Sequence, residues 1–207
     1  MPKGTLFIVS GPSGSGKDTV LGKLLALHPE VKLSISSITR PMRAGEKEGE
    51  KYHFISREDF EALLADNALL EHNVYLGNYY GTPRRPVEEA LAAGTDMILE
   101  IDVNGADKVR ALMPQAVSVF IMPPSLAVLE KRLSGRGTED AATVRGRLKE
   151  AVGEIARAAA YDYIVVNDDL DEAVDCLSSI IVGERAKIEK RKYLIDEVLQ
   201  DVESRNW

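Results

Sequence analysis

Thr5-Leu-Phe-Ile-Val-Ser10-Gly11-Pro-Ser-Gly-Ser-Gly16-Lys17 is the stretch that decides the fold. Its first six residues form a β-branched and aromatic run that reads as a buried strand. After Lys17, the residues Val20, Leu21, Leu24, Leu25 and Leu27 recur at helical spacing, and His28-Pro29 ends that helix. A glycine-rich turn between a strand and a helix, closed by a lysine, is the frame of a phosphate loop. The glycines let consecutive backbone N–H groups curl around phosphate oxygens without a Cβ in the way. The helix N-terminus adds partial positive charge, and Lys17 is placed to reach the β- and γ-phosphates of a nucleotide. One position departs from the pattern. The hydroxyl residue that usually follows the lysine and binds Mg²⁺ is Asp18 here, with Thr19 next. Like-charge repulsion beside three phosphates argues against a direct carboxylate ligand. Holding a metal-bound water and serving as a first-turn acid are the expected roles.

Outward from this loop, Met97–Ile101, Val117–Met122 and Tyr163–Val166 read as further buried strands. Gly105–Leu112, Ser125–Leu133, Asp140–Ala160 and Leu170–Arg185 read as helices between and after them. Strands alternating with helices predict an α/β fold, with a parallel sheet covered on both faces. Residues 33–82 break the rhythm with Thr39-Arg40-Pro41, Gly45, Gly49, Gly77 and Gly81. They are expected to form a mixed, partly antiparallel insertion with one helix near Arg57–Asp66, for which Ser56 and Asp59 resemble a capping box. A second excursion, Gly135–Thr138, precedes the long helix. From Glu184 onward the alternation of acids and bases predicts a solvated amphipathic helix.

With 207 residues the chain fits one domain. Hydrophobic residues make up 44% and charged residues 29%, ordinary globular values that argue against a disordered chain. A net charge of −7 argues against non-specific binding to nucleic acid or anionic membrane. Fourteen arginines and twelve lysines can still be gathered locally around a small anion. The single cysteine, Cys176, can form neither an internal disulfide nor a multi-cysteine zinc site, and its apolar-periodic surroundings predict a buried thiol. No apolar run approaches the ~18 residues of a membrane span. The first strand begins within five residues of Met1, so no signal peptide is expected and the cytoplasm is the expected location.

A phosphate loop alone fits GTPases, motors, transporters and kinases. The insertion chooses among them. Ser36-Ser-Ile-Thr39-Arg40-Pro-Met-Arg43-Ala-Gly45-Glu46, Gly49-Glu-Lys-Tyr52-His-Phe54, Leu70-Glu71-His72 and Gly77-Asn-Tyr-Tyr80-Gly81-Thr82 resemble the signature of the guanylate kinases. The likeness continues through Ile98-Leu-Glu100-Ile-Asp102-Val-Asn-Gly105, Arg132–Gly137 and Val166-Asn167-Asp168-Asp169, and covers about residues 5–185. It implies a P-loop kinase fold, a parallel sheet flanked by helices with a mixed α/β GMP-binding insertion and a short lid. The corresponding divisions are a core of residues 1–32, 83–134 and 155–207, an insertion of 33–82 and a lid region of 135–154. The implied reaction is ATP + GMP ⇌ ADP + GDP, with dGMP a weaker acceptor and Mg²⁺ accompanying ATP.

By that resemblance Gly11, Pro12, Ser13, Gly14, Ser15, Gly16, Lys17, Asp18 and Thr19 surround the ATP phosphates, and Asn167 shapes the adenine side. Arg40, Arg43, Tyr52 and Tyr80 hold the phosphate of GMP. Two guanidiniums three residues apart can converge on one phosphate, and phenolic hydroxyls can donate to it. Ser36, Glu71, Thr82 and Asp102 surround guanine. An ionised carboxylate at Glu71 accepts from both N1–H and N2–H₂, a donor pair that adenine lacks. Thr82 stands where many relatives carry Ser, Glu100 where Asp is common, and Asn104, which is assigned no role, where Gln is common. Glu100 and Asp102, two apart at a strand end, are expected to face one side and address Mg²⁺ through its waters; Asp18 is a third candidate near the metal. Arg132, Arg136 and Arg147 are the expected catalytic arginines beside Lys17, neutralising charge on the transferring phosphoryl, while Arg145 is expected on a solvated face. No general base is needed, because the acceptor is a phosphate oxygen already largely ionised at neutral pH.

Two other readings carry different chemistry. Some ribose bisphosphate kinases also carry Lys-Asp after the glycines, but Glu71 and the Tyr80/Thr82 loop argue against them. Guanylate-kinase-like scaffold modules usually lack a working phosphate loop, which this chain keeps at Gly11–Lys17.

Overall fold

Alternation along strand β1 (Leu6–Ser10) organises the core in the computed structural model, which describes residues 3–135 and 141–204. Phe7 and Val9 enter a cluster on one face of a sheet with Val20, Leu21, Leu24, Val174, Leu177 and Ile181. Leu6 and Ile8 enter a second cluster on the other face with Val87, Leu91, Leu99 and Val109. A strand buried on both sides needs cover on both sides, which the crossover helices of a parallel sheet supply. On the first face lie α1 (Lys17–Leu27) and α7 (Leu170–Ala186); on the second lie α3 (Arg84–Ala92) and α4 (Val103–Leu112). The sheet order is β2 (Lys32–Leu33), β7 (Met97–Glu100), β1, β8 (Val117–Met122), β9 (Tyr163–Val166), with every neighbour parallel. In such a sheet, ligands bind beyond the carboxyl ends of the strands, where the phosphate loop leaves β1.

The insertion forms its own four-stranded sheet in the order β4 (Tyr52–Phe54), β3 (Ser36–Ile38), β6 (Asn78–Pro83), β5 (Leu69–Tyr75). The β3–β4 pair is parallel and the other pairs are antiparallel. Helix α2 (Arg57–Ala65) starts at Ser56, whose hydroxyl oxygen accepts from the Asp59 backbone N–H, and buries Phe60 in a stack on Tyr79 with ring centres 5.0 Å apart. Helices α5 (Leu126–Ser134) and α6 (Ala141–Ala156) pack through Leu129, Leu133, Val144 and Ala151.

The structure corrects several expectations. Cys176 is exposed, because the buried face of α7 is set by Ala173, Val174, Leu177 and Ile181, and position 176 lies about 100° round the helix from 177. The long helix expected to Ala160 ends at Ala156 and tightens into a 3-10 turn over Arg157–Ala160. The charged C-terminal segment is divided. Helix α7 runs on to Ala186, α8 (Ile188–Arg191) and α9 (Tyr193–Ser204) follow, and Glu184 is buried. Three residues beyond Ile181, Glu184 still faces inward, where it accepts from the Tyr163 hydroxyl at 2.6 Å. Helix α3 was not anticipated, although Val87 and Leu91 carry its buried stripe. Among the described residues, no helix is long and apolar enough to cross a membrane.

Candidate active site

The phosphate loop owes its shape to contacts from behind. Gly16 opens α1 in the left-handed region, φ 90°, and a Cβ there would stand 2.3 Å from Nδ2 of Asn167. No other residue fits that position without a shift. Asn167 is buried and donates from Nδ2 to the Ser15 carbonyl at 2.7 Å. The side chain expected on the adenine side thus holds the loop itself. Arg132, in the last turn of α5, donates to the carbonyls of Asn167 (2.9 Å) and Ser15 (3.4 Å). The loop and these supports border a cavity of about 320 Å³, with Gly14, Gly16 and Thr19 on one side and Arg132, Asn167 and Leu170 on the other. Lys17 donates back to the carbonyls of Gly11 (2.5 Å) and Pro12 (3.2 Å), and burial holds its ammonium below the ordinary lysine range. The hydroxyl of Ser15 is buried with no hydrogen-bond partner in the protein. Arg147 reaches over from α6 to the hydroxyl of Ser13. A larger cavity of about 610 Å³ lies at the other end of the sheet, beside Asp96, Arg185 and Tyr193, and contains none of the motif residues.

Glu100 and Asp102 part company. Strand β7 ends at Glu100, and Asp102 takes the N-cap of α4, so the two-residue alternation that would have put them on one side stops short. The Glu100 carboxylate meets the Lys51 ammonium at 2.8 Å, and the same ammonium is bonded to Asp18. Burial raises the Glu100 carboxyl, with Lys51 opposing that rise; the Lys51 contact holds Asp18 below the ordinary range despite partial burial. The paired oxygens of Asp18 and Glu100 are hard donors that suit Mg²⁺ arriving on nucleotide phosphates. The described residues contain no cluster of three or more His, Cys, Asp or Glu able to hold a metal. Asp102 has both oxygens committed. Oδ1 accepts from the Gly105 N–H at 2.8 Å and Oδ2 from Nδ2 of Asn73 at 2.5 Å.

At the other end of the cleft the insertion presents Glu71 on β5 and Thr82 on β6, facing each other across an antiparallel pair. Both are buried, and the Thr82 hydroxyl donates to Oε1 of Glu71 at 2.7 Å. The other oxygen, Oε2, lies over the first turn of α4, where a Cβ on Gly105 would come within 2.7 Å of it. Burial pushes the Glu71 carboxyl up to about 7, against the hydrogen bond from Thr82. Ser36 begins β3 in the same sheet.

Between these ends lies a cationic loop. The Arg40 guanidinium is clasped by both oxygens of Glu46, at 2.7 and 2.5 Å, and lies 5.4 Å from the centre of the Tyr52 ring. Arg40 draws the Glu46 carboxyl down to about 2. Arg43 is exposed on the same loop, where its backbone N–H donates to Glu46. Tyr80 sits on β6, opposite Ile38 of β3. Three residues in this region are assigned no role by the sequence: Lys51 and Gly105, which lie inside quoted motifs, and Asn73, which lies outside them. The excursion holding Arg136, Gly137 and Thr138 lies outside the described residues.

Comparison with known proteins points to one family. The guanylate kinase family profile matches residues 3–184. A guanylate kinase of Neisseria gonorrhoeae is 46% identical over 199 residues, covering 96% of this chain and 97% of the relative. One from Salmonella typhi is 43% identical over 207 residues, covering 97% and 100%. The crystal structure of guanylate kinase from Anaplasma phagocytophilum superposes with a TM-score of 0.74 at 37% identity, covering 90% of this chain and 89% of that one.

Proposed function

Because the chain belongs to the guanylate kinase family, and so transfers the γ-phosphoryl group of ATP to GMP, we propose which of its residues bind, align and neutralise the two nucleotides. The observation that carries the assignment is Glu71: a buried carboxylate with one oxygen held by Thr82 and the other turned over Gly105. A buried carboxylate needs donors, and guanine brings two in adjacent positions. Adenine, with an acceptor at N1, would leave it unpaired. Asp102 fixes the first turn of α4 beneath this pocket, and Ser36 adds a hydroxyl beside it. dGMP presents the same base and is a further acceptor.

At the acceptor phosphate, Arg40, Arg43, Tyr52 and Tyr80 supply the donors. Glu46 presets the Arg40 guanidinium in the plane from which it binds oxygens two at a time. On the donor side, the backbone of residues 11–16 and the start of α1 receive the ATP phosphates. The hydrogen bonds from Lys17 to Gly11 and Pro12 yield to a phosphate, which gives this buried ammonium a directly bonded anion. An acceptor phosphate oxygen then bonds to the γ-phosphorus as the bond to the bridging β–γ oxygen breaks, and ADP leaves with that electron pair. No proton needs removal. Arg132 and Arg147, with Arg136, neutralise charge spread over the migrating group, and holding the nucleotides in line supplies the remainder. Mg²⁺, held near Asp18 and Glu100 when bound with ATP, would offset charge on the β- and γ-phosphates. ATP consumption with GMP, dGMP, AMP, dTMP or ribose bisphosphate as acceptor tests this. Turnover with GMP should exceed that with AMP by at least ~1,000-fold, and Glu71→Gln should lose roughly 100-fold in GMP affinity. Retained GMP affinity in Glu71→Gln would overturn the assignment.

A further inference from the structure

Lys51 joins two parts of the molecule at the place where transfer must occur. It belongs to the insertion, and its backbone is tied there: its carbonyl accepts from the Ser36 N–H at 3.2 Å, and the next residue, Tyr52, starts β4. Its ammonium is spent on the core, 2.8 Å from Glu100 at the end of β7 and bonded to Asp18 in the first turn of α1. At the guanine end of the cleft, the insertion is linked to α4 by Asn73 on Asp102 and by Lys108 on the His72 carbonyl. At the phosphate end the link is Lys51. Its ammonium also lies 5.8 Å from the centre of the Tyr52 ring, to which the Arg40 guanidinium comes within 5.4 Å.

The contact differs from an ordinary surface ion pair, which contributes little. Glu100 is only 13% exposed, and two carboxylates share the one ammonium. Without Lys51 the two would lose their direct partner and keep only the more distant charge of Lys17 to offset their mutual repulsion. The assignment of Tyr52 and Arg40 to the acceptor phosphate, made above, gives this link its consequence. The position of Lys51 sets the start of β4, and β4 carries Tyr52.

We propose that Lys51 is a positioning residue for phosphoryl transfer, registering the acceptor insertion against the phosphate loop by clasping Asp18 and Glu100. Its ammonium also takes the place of a cation between these carboxylates in the nucleotide-free enzyme. Divalent metal then enters with ATP rather than ahead of it.

A misplacement of about 1 Å between reacting atoms can cost ~100-fold in rate without changing how tightly either substrate binds. Lys51→Met is therefore expected to lower kcat roughly 10- to 100-fold, while GMP affinity by calorimetry stays within about threefold of the parent. Lys51→Arg, which can still bridge two carboxylates, is expected to recover most of the rate. A second readout needs no turnover. Titrated with Mn²⁺ in the absence of nucleotide and followed by electron paramagnetic resonance, Lys51→Met should bind the ion at least ~10-fold more tightly than the parent or Lys51→Arg. Lys51→Gln repeats both measurements with a polar replacement, should the methionine variant prove unstable. An unchanged kcat, a loss confined to GMP affinity, or unchanged Mn²⁺ binding would each overturn the proposal. Tyr52→Phe run in parallel, expected to weaken GMP binding, tests the acceptor-phosphate assignment by itself, so failure of that assignment is distinguishable from failure of this one.

Discussion

Glu71, proposed above as the guanine acceptor, shows how one side chain can trade folding stability for selectivity. Its carboxyl titrates near 7 because burial disfavours the charged form, while in an unfolded chain it would titrate near the ordinary glutamate value. The folded state therefore holds this proton between those values and the unfolded state does not. Stability from this group is full below the unfolded value, declines as pH rises through about 7, and is lost above it. Guanine needs the opposite state, an ionised carboxylate with two lone pairs free. GMP affinity is accordingly predicted to rise from pH 6.5 to 8 and then level off, and Glu71→Gln should flatten that rise. The base-dependent part is read by comparing the two proteins, since the phosphate of GMP has its own ionisation near ~6. At pH 8 the same variant should melt several degrees higher, because it removes a buried charge costing up to roughly 2–3 kcal/mol in the empty pocket. A lower melting temperature together with a flat profile would mean that the Thr82 contact, rather than charge burial, dominates at this position.

At the scale of elements, the pocket depends on how closely β5 can approach the first turn of α4. Gly105 permits that approach, and a methyl group there would stand 2.7 Å from Oε2 of Glu71. Gly105→Ala brings a better helix former, worth about 1 kcal/mol in a helix interior, so the helix itself should not suffer. The carboxylate must move instead, and Thr82 holds its other oxygen. We predict a rise in KM for GMP of at least ~10-fold with KM for ATP unchanged, measured by varying each substrate against saturating partner. The packing role of such a residue is poorly legible in sequence: Gly105 closes the Ile98–Gly105 motif, but nothing local shows that a side chain from another strand lies against it. The contrast with the phosphate loop is instructive. There the strand, the glycines and the lysine are neighbours in the chain, and β1, β8 and β9 follow from runs of β-branched residues whose limits lie within a residue of those observed. Lys51 and Asn73 find their partners across the cleft, at separations no local pattern encodes. Cys176 fails for a related reason: it sits among apolar residues in sequence but on the solvent flank of the helix they form.

The whole molecule faces an electrostatic problem. A chain of net charge −7 must bring two nucleotides, each multiply anionic, within bonding distance of one another. Direct repulsion would make either nucleotide weaken the binding of the other. The cations proposed to meet the nucleotides act against this, and they are divided between two sides: Lys17, Arg132 and Arg147 belong to the donor side, Arg40, Arg43 and Lys51 to the insertion. Each side also has a sheet of its own, joined to the other by side-chain links such as Lys51–Glu100 and Asn73–Asp102 and by the packing of α4 on β5. A nucleotide on one side gives the cations of the other side a second anion to hold, so occupancy of both should favour approach of the two. Independent sites make a definite alternative. Each ligand at about 100 times its dissociation constant stabilises the folded state by ~2.7 kcal/mol, or roughly 5–11 °C in Tm for a chain of this size, and the two shifts would add. We predict that GMP together with a non-hydrolysable ATP analogue and Mg²⁺ raises Tm by several degrees more than the sum of the separate shifts. The excess should shrink as salt is raised from ~50 to 500 mM, because screening weakens exposed charges most. Strict additivity at low salt would mean that the two halves bind their ligands without communicating, and an excess that persists at high salt would assign the coupling to packing rather than charge.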